Sequence, residues 1–252
     1  MYHDVAASDE RERTGFPGSL AARYKLTPGQ FAAHLDAISA TCAAIGLFTP
    51  EANPPAAAIT FDDGGSSALA AARMLEERGW RGHFFVTTAK IGSAGFLDAD
   101  GIRELASRGH VIGSHSHTHP TYMGRLPASE LDREWCSSRE ILAEILGRPP
   151  EAASVPGGFL SRLVAERARK AGYGLLMTSE PTTRISLRHG IPLVGRFTIW
   201  ATTDPGTAAA YVAGSGPARL RLWLEWNAKK AAKTVAPNLY EAARHGRAAK
   251  SR

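Results

Sequence analysis

At 252 residues, with 44% hydrophobic and 21% charged side chains, the chain has the makeup of an ordinary globular protein and room for one large domain or two small ones. No apolar run reaches the roughly 18 residues of a membrane-spanning helix, and none follows Met1-Tyr2-His3-Asp4 as a signal peptide would require; the expected compartment is the cytoplasm. The formal charge of +6 is modest, lies largely at the C-terminal end and comes with no recognised nucleic-acid motif, so no nucleic-acid partner is expected.

Residues 2–5 read as a very short strand carrying His3, and a lone histidine near a terminus is ordinarily surface decoration. Residues 6–26, with Gly15, Pro17 and Gly18 and no clear period, read as a long loop that could cover a substrate groove. Thr27-Pro28-Gly29-Gln30 carries a helix start, with Thr27 as N-cap, and Phe31, Leu35, Ile38 and Cys42 keep helical spacing up to Gly46. The run Ala56-Ala57-Ala58-Ile59 then leads into Thr60-Phe61-Asp62-Asp63-Gly64-Gly65, a short buried strand stopped by two glycines. Adjacent carboxylates at that point repel each other and both lose solvation, costs that a bound cation would relieve; Asp-Gly is also common turn chemistry. Residues 66–78 form a helix ended by Gly79. A strand over 83–88 follows, with His83 a structural residue at its entrance, then a helix over 98–108 capped by Asp98.

Val111-Ile112-Gly113 leads into Ser114-His115-Ser116-His117-Thr118-His119-Pro120. On a helical turn His115 and His119 share a face; on a strand His115, His117 and His119 do. Either geometry offers two neutral imidazoles, and Asp63 as a third ligand would make a two-His, one-carboxylate metal site with an open position for water. Residues 126–146 form a long helix with Ser129 as cap and Leu131, Trp135, Ile141 and Leu142 as its apolar face. The loop Pro156-Gly157-Gly158 either turns the chain or offers backbone N–H groups to an oxyanion. A helix over 161–171, a strand over 175–178 and a last strand over 191–199 containing Arg196 complete the pattern; Glu180 reads as a surface carboxylate. Cys42 and Cys136 fit no metal spacing, and reduced, buried thiols are expected although one disulfide also fits. Strands alternating with helices at this spacing imply parallel βαβ units with the chemistry at the C-terminal strand ends.

The Thr60-Phe61-Asp62-Asp63-Gly64 run followed by His115-Ser116-His117-Thr118-His119-Pro120 resembles the first two motifs of the polysaccharide deacetylases, carbohydrate esterase family 4 with its NodB-homology domain. The resemblance extends from about residue 1 to about residue 200 and implies an α/β fold, a deformed (β/α) barrel of about seven parallel strands. It implies that Asp62 is the general base and that Asp63, His115 and His119 hold Zn2+ or another divalent ion such as Co2+. Some members acting on poly-N-acetylglucosamine have a circularly permuted motif order, in which an N-terminal Tyr-His supplies the general acid that others take from a Leu-x-His motif. Tyr2-His3 is similar to that form, only His189 and His245 remain late in the chain, and His3 is the implied acid. At the third motif Pro156 and Gly157 match, but Ser154 stands where the family commonly has the Arg that orients the base; Arg196 is the candidate replacement. The Trp element of the fourth motif is missing.

The expected organisation is a catalytic domain over 1–216 and a basic helical extension over 217–252. In the extension Arg219, Arg221, Lys229, Lys230, Lys233, Arg244, Arg247, Lys250 and Arg252 face only Glu225 and Glu241. With Leu220, Leu222, Trp223, Leu224 and Trp226 it either docks and leaves a solvated basic face, the preferred reading, or makes a peripheral contact with an anionic membrane. The expected activity is metal-dependent hydrolysis of N-acetyl groups on hexosamine units of a glycan, in exopolysaccharide assembly. A small-molecule amidohydrolase and a non-catalytic, metal-containing glycan-binding protein are the rivals. The Arg missing at Ser154 favours the binding protein, and retention of Asp62 counts against it.

Overall fold

Short runs, the first five buried almost throughout, form the strands: β1 Ile59–Phe61, β2 Gly82–Val86, β3 Val111–Ser114, β4 Ala152–Ser154, β5 Leu175–Met177, β6 Ser186–Arg188 and β7 Ile191–Val194. The structure, a computed structural model, describes residues 1–41, 44–48, 57–214 and 216–235. Ala56, Cys42, Glu241, His245 and the basic positions Arg244, Arg247, Lys250 and Arg252 lie outside the described residues. The strands make one curled, open barrel-like sheet in the order β1-β2-β3-β4-β5-β7-β6. All neighbours from β1 to β7 are parallel, and parallel strands covered on both faces read as unbroken apolar runs.

The expectation of about seven parallel strands needs one correction. β6 runs antiparallel to β7, joined by a two-residue turn at His189 and Gly190 with φ of 55° and 77°. A tight hairpin wants positive φ at both turn positions, which the glycine eases. The strand expected over 191–199 also stops at Val194. Gly195 lies so close to the next segment that a Cβ there would meet the Glu180 carbonyl oxygen at 2.4 Å, and Arg196 therefore sits just beyond the strand end.

The helices are α1 Ser19–Ala22, α2 Pro28–Ser39, α3 Ala68–Glu76, α4 Ala99–Ser107, α5 Ala128–Leu146, α6 Arg162–Lys170, α7 Pro205–Ala213 and α8 Gly216–Val235. Their starts are set locally. Thr27 and Gln30 close a reciprocal capping box on α2, and Asp98 accepts from the Gly101 N–H at 2.8 Å on α4. Ser129 is inside α5, not its cap, because Pro127 holds the extended N-cap backbone at φ −67° and ψ 161°. On α5, Leu131, Trp135 and Leu142 are buried as expected, Ile141 only half so; Glu134 and Ser138 share the buried face. Cys136 is a free, half-buried thiol, and His83 is structural, its Nε2 accepting from the Phe48 N–H at 2.9 Å.

Two long-range devices place the N-terminal region. The Tyr2 N–H donates to the Thr60 carbonyl at 2.7 Å, the Asp62 N–H to the Tyr2 carbonyl at 3.1 Å and the Ile199 N–H to the Met1 carbonyl at 3.0 Å. Residues 1 and 2 are thus wedged between β1 and the chain after β7, so His3 is no surface decoration. In the 6–26 loop, Lys25 is 1% exposed, and its ammonium donates to the carbonyls of Arg11 (2.6 Å), Thr14 (2.6 Å) and Phe16 (2.7 Å). Lys25→Met leaves those carbonyls without their charged donor and is expected to cost about 3 kcal/mol in urea unfolding. A loss below the error of the measurement would show that the loop holds itself.

Candidate active site

Side chains on a strand alternate between faces, so neighbouring Asp62 and Asp63 would ordinarily diverge. Asp63 instead takes φ of 78° and Gly64 82°, and this left-handed step brings both carboxylates to one imidazole. His115 Nε2 is 3.9 Å from Asp62 Oδ2 and 3.5 Å from Asp63 Oδ1. At Gly64 a side chain would be strained at that φ and would sit 3.2 Å from the Val86 Cα.

The histidine loop is neither a helical turn nor a strand. Ser116 and His119 have φ of 62° and 58°, and the loop curls so that His115 and His119 converge on Asp63 Oδ1, each Nε2 at 3.5 Å. His117 is tied elsewhere, its Nδ1 2.9 Å from Thr88 Oγ1. What holds the curl is Glu134 of α5, a residue the sequence analysis passed over. One carboxylate oxygen accepts the backbone N–H groups of His117 (2.9 Å) and Thr118 (2.8 Å), and the other accepts the Thr118 hydroxyl. The available signal was an acidic residue between Leu131 and Trp135 on an apolar helix face, where charge is rare unless partnered. Glu134→Gln is expected to weaken zinc binding by about tenfold, in the range found for groups that orient metal ligands, in competition with a chromophoric chelator. Unchanged affinity would show the loop to be self-supporting.

Asp63, His115 and His119 offer donor atoms all within 4.8 Å of one another. The His115 Nδ1 faces the Ser154 carbonyl at 3.1 Å; a carbonyl only accepts, so Nδ1 carries the proton and the Nε2 lone pair faces Asp63. Burial pushes the pKa of His115 down to about 3 and that of His119 down as well, which keeps both rings neutral. Burial, and then the Asp62 charge, push the Asp63 pKa well up. Lone pairs turned on a strained carboxylate are an arrangement a divalent cation completes, and the donor set suits zinc or cobalt.

Asp62 is 4% exposed and Arg196 6%. Arg196 grips the carboxylate with both arms, Nη1 to Oδ1 at 2.7 Å and Nη2 to Oδ2 at 2.8 Å. Its other donors reach Thr60 Oγ1 (3.2 Å), the Thr178 carbonyl (3.1 Å) and Ser154 Oγ (2.6 Å). Ser154 Oγ in turn donates to Asp62 Oδ2 at 3.2 Å. Burial alone would raise the Asp62 pKa, but the charge of Arg196 and its hydrogen bonds outweigh it and hold the carboxyl well below the usual range. The guanidinium thus comes from after β7, while the third-motif position supplies a hydroxyl.

His3 is half-buried and stands close enough to feel the charges of Asp62 and Arg196. Its ring lies 4.4 Å from that of Tyr24, which stacks on Trp200 at 4.6 Å, and its Nδ1 is buried without a hydrogen-bond partner. Burial pulls its pKa down to about 4 against the attraction of Asp62, so the ring is neutral in the free site. In the Pro156-Gly157-Gly158 loop, Pro156 has no N–H and the Gly158 N–H is spent on the Val155 carbonyl at 3.3 Å, which leaves Gly157 as the donor to consider. Glu180 contributes a backbone carbonyl, which accepts the Arg196 N–H at 3.0 Å. Phe16, held by the Lys25 clamp, packs 4.8 Å from the His119 ring and forms one wall of the site.

The family profile described as polysaccharide deacetylase matches residues 49–176, just over half of the chain and both acidic and histidine motifs. The chain belongs to the polysaccharide deacetylase family. Members of this family are hydrolases of N-acetyl amide bonds and are in general metal-dependent. A curated relative, YxkH of Bacillus subtilis (strain 168), bears the family's name and is 27% identical over 124 residues, 49% of this chain and 44% of its own; the match spans less than half of that protein. Among solved structures, BC0361, a polysaccharide deacetylase from Bacillus cereus, superposes with a TM-score of 0.70 at 21% identity, covering 84% of this chain and 67% of its own. IcaB from Ammonifex degensii gives 0.65 at 23%, covering 84% and 94%. The Streptococcus pyogenes deacetylase PplD in complex with acetate gives 0.64 at 20%, covering 81% and 92%. These three structural likenesses speak for a shared fold.

Proposed function

We propose that the protein is a metal-dependent deacetylase that hydrolyses N-acetyl groups on the hexosamine units of a polysaccharide or oligosaccharide. The observation that carries this is one constellation: a metal-ready triad of Asp63, His115 and His119 beside an ionised Asp62 that Arg196 and Ser154 hold in place. A divalent ion held by the triad would polarise the acetyl carbonyl and acidify water. Asp62 accepts a proton from the attacking water at its carboxylate, while Arg196 keeps that carboxylate ionised and oriented until then. The Gly157 N–H is a donor for the oxyanion. His3, neutral in the free site, receives a proton during turnover and passes it from a ring nitrogen to the departing amine. The protons balance: water supplies hydroxide to the acetyl carbon and a proton to Asp62, the C–N bond breaks, and the amine leaves with the proton that returns through His3. The deacetylase bound to acetate among the structural neighbours is in keeping with this product. Arg196 at Asp62 also counts against a non-catalytic glycan binder, since the base does not lack an arginine.

The test is acetate release from N-acetylglucosamine oligomers by zinc-loaded protein. Release should require metal and fall by about 10²–10⁴-fold in Asp62→Asn and in His3→Ala. Survival of activity in His3→Ala would move the acid elsewhere, and no release from any oligomer by metal-bound protein would overturn the deacetylase.

A further inference from the structure

We infer that α8 is a membrane-docking element whose outward apolar stripe enters the interface of an anionic bilayer. Among the described residues the exposed large hydrophobics are Ile185 (43%), Leu187 (75%), Leu220 (56%), Trp223 (44%) and Leu224 (54%). All five fall on two stretches, the β6 strand with its approach and the first half of α8. The two are neighbours, because Ile185 and Arg219 line one cavity of about 290 Å³. α8 is fastened through Leu222 and Arg219, on the side that borders its apolar stripe. Leu222 is buried, and the Arg219 guanidinium stacks 5.1 Å from Phe197 and donates to the Tyr211 carbonyl at 2.8 Å. Leu220, Trp223 and Leu224, spaced i, i+3, i+4, then share the face that points away. The first half of α8 thus exposes an apolar stripe beside the Arg221 side chain, which is 83% exposed.

Charge identifies the partner. Residues 217–252 carry nine Lys and Arg against two acidic residues, while the rest of the chain holds 21 basic against 22 acidic. The excess charge of the protein thus belongs entirely to the segment that bears the stripe. Arg184 and Arg188 flank Ile185 and Leu187 on the second stretch. A twofold self-interface would set this basic patch against its own copy, which like charges oppose. An anionic lipid surface attracts the charge and takes up the apolar side chains, with tryptophan at the headgroup level it favours. Docking by α8 is independent of the chemistry at Asp62.

The experiment uses the full chain with sedimented vesicles of phosphatidylglycerol and phosphatidylcholine, against pure phosphatidylcholine, with brominated lipids as quenchers of tryptophan. Binding is expected to the anionic vesicles only, to weaken with salt, and to fall about tenfold or more in the triple variant Leu220→Glu, Trp223→Glu, Leu224→Glu. Trp223→Phe should remove most of the quenching. A circular dichroism spectrum and zinc affinity unchanged in the triple variant would certify its fold, and the single variant Trp223→Ser gives the same readout with less perturbation. Absence of binding to anionic vesicles, or binding by the triple and single variants as tight as that of the wild type, would overturn the inference. So would a concentration-dependent dimer that these substitutions abolish in the absence of lipid.

Discussion

Arg196→Met is expected to abolish activity and to destabilise the fold by about 3–5 kcal/mol, the usual cost of stranding one member of a buried ion pair. Asp62 would then lie buried and unpaired beside Asp63. The effect on pH dependence has a definite sign. In the wild type the Asp62 pKa is held below its unfolded value, so its contribution to stability is present above the unfolded pKa and is lost as pH falls through the folded one. Without the guanidinium, burial dominates and the pKa rises above the unfolded value; stability is then greatest in acid and declines as pH climbs toward neutrality. Urea unfolding should show the wild type losing the Asp62 contribution only as pH falls below the unfolded carboxylate pKa, and the variant losing more stability than the wild type as pH rises from there toward neutrality. Arg196→Lys keeps a charge but not the two-armed grip and should fall between them. Full activity in Arg196→Met would remove Arg196 from its orienting role.

The second large effect concerns the metal triad. Zinc at ~100 times Kd should stabilise the fold by about 2.7 kcal/mol, about 5–10 °C in Tm for a chain of this size. In Asp63→Asn that gain should vanish, acetate release should drop to background, and the metal-free variant should be at least as stable as the metal-free wild type. The folded pKa of Asp63 is raised, so the stability tied to it is present below the unfolded pKa and lost as pH rises; at neutral pH the carboxylate is a burden that asparagine lacks. A metal-free Asp63→Asn markedly less stable than wild type, or one still stabilised by zinc, would place the ion elsewhere.

Much of the fold and part of the site are legible within a few residues of sequence. The Thr27–Gln30 box and the Asp98 cap each depend on groups about three positions apart. The apolar runs that became β1 to β5 carry their burial in their composition. The spacing of His115 and His119 after a strand, with Asp63 after another, named the residues that converge. The β6–β7 hairpin had a weak local signal in His189-Gly190, too short to outweigh the reading of one last parallel strand.

Tertiary structure decided the rest. Arg196 and Asp62 are 134 positions apart, and only the sheet order, with residues 1 and 2 wedged beside β1, brings the chain after β7 to the end of β1. The same wedge carries His3 into the site. Glu134 and Lys25 look like ordinary charged residues until the backbone groups they satisfy fold around them. Along α8, composition shows leucine, tryptophan and arginine mixed together, and only docking through Arg219 and Leu222 sorts which of them meet solvent. Caps, strand burial and ligand spacing are properties of neighbours in the chain and were determined by sequence alone. Partners for buried charge, and the outward face of a helix, are set by which distant segments the sheet makes adjacent, and no local pattern encodes that.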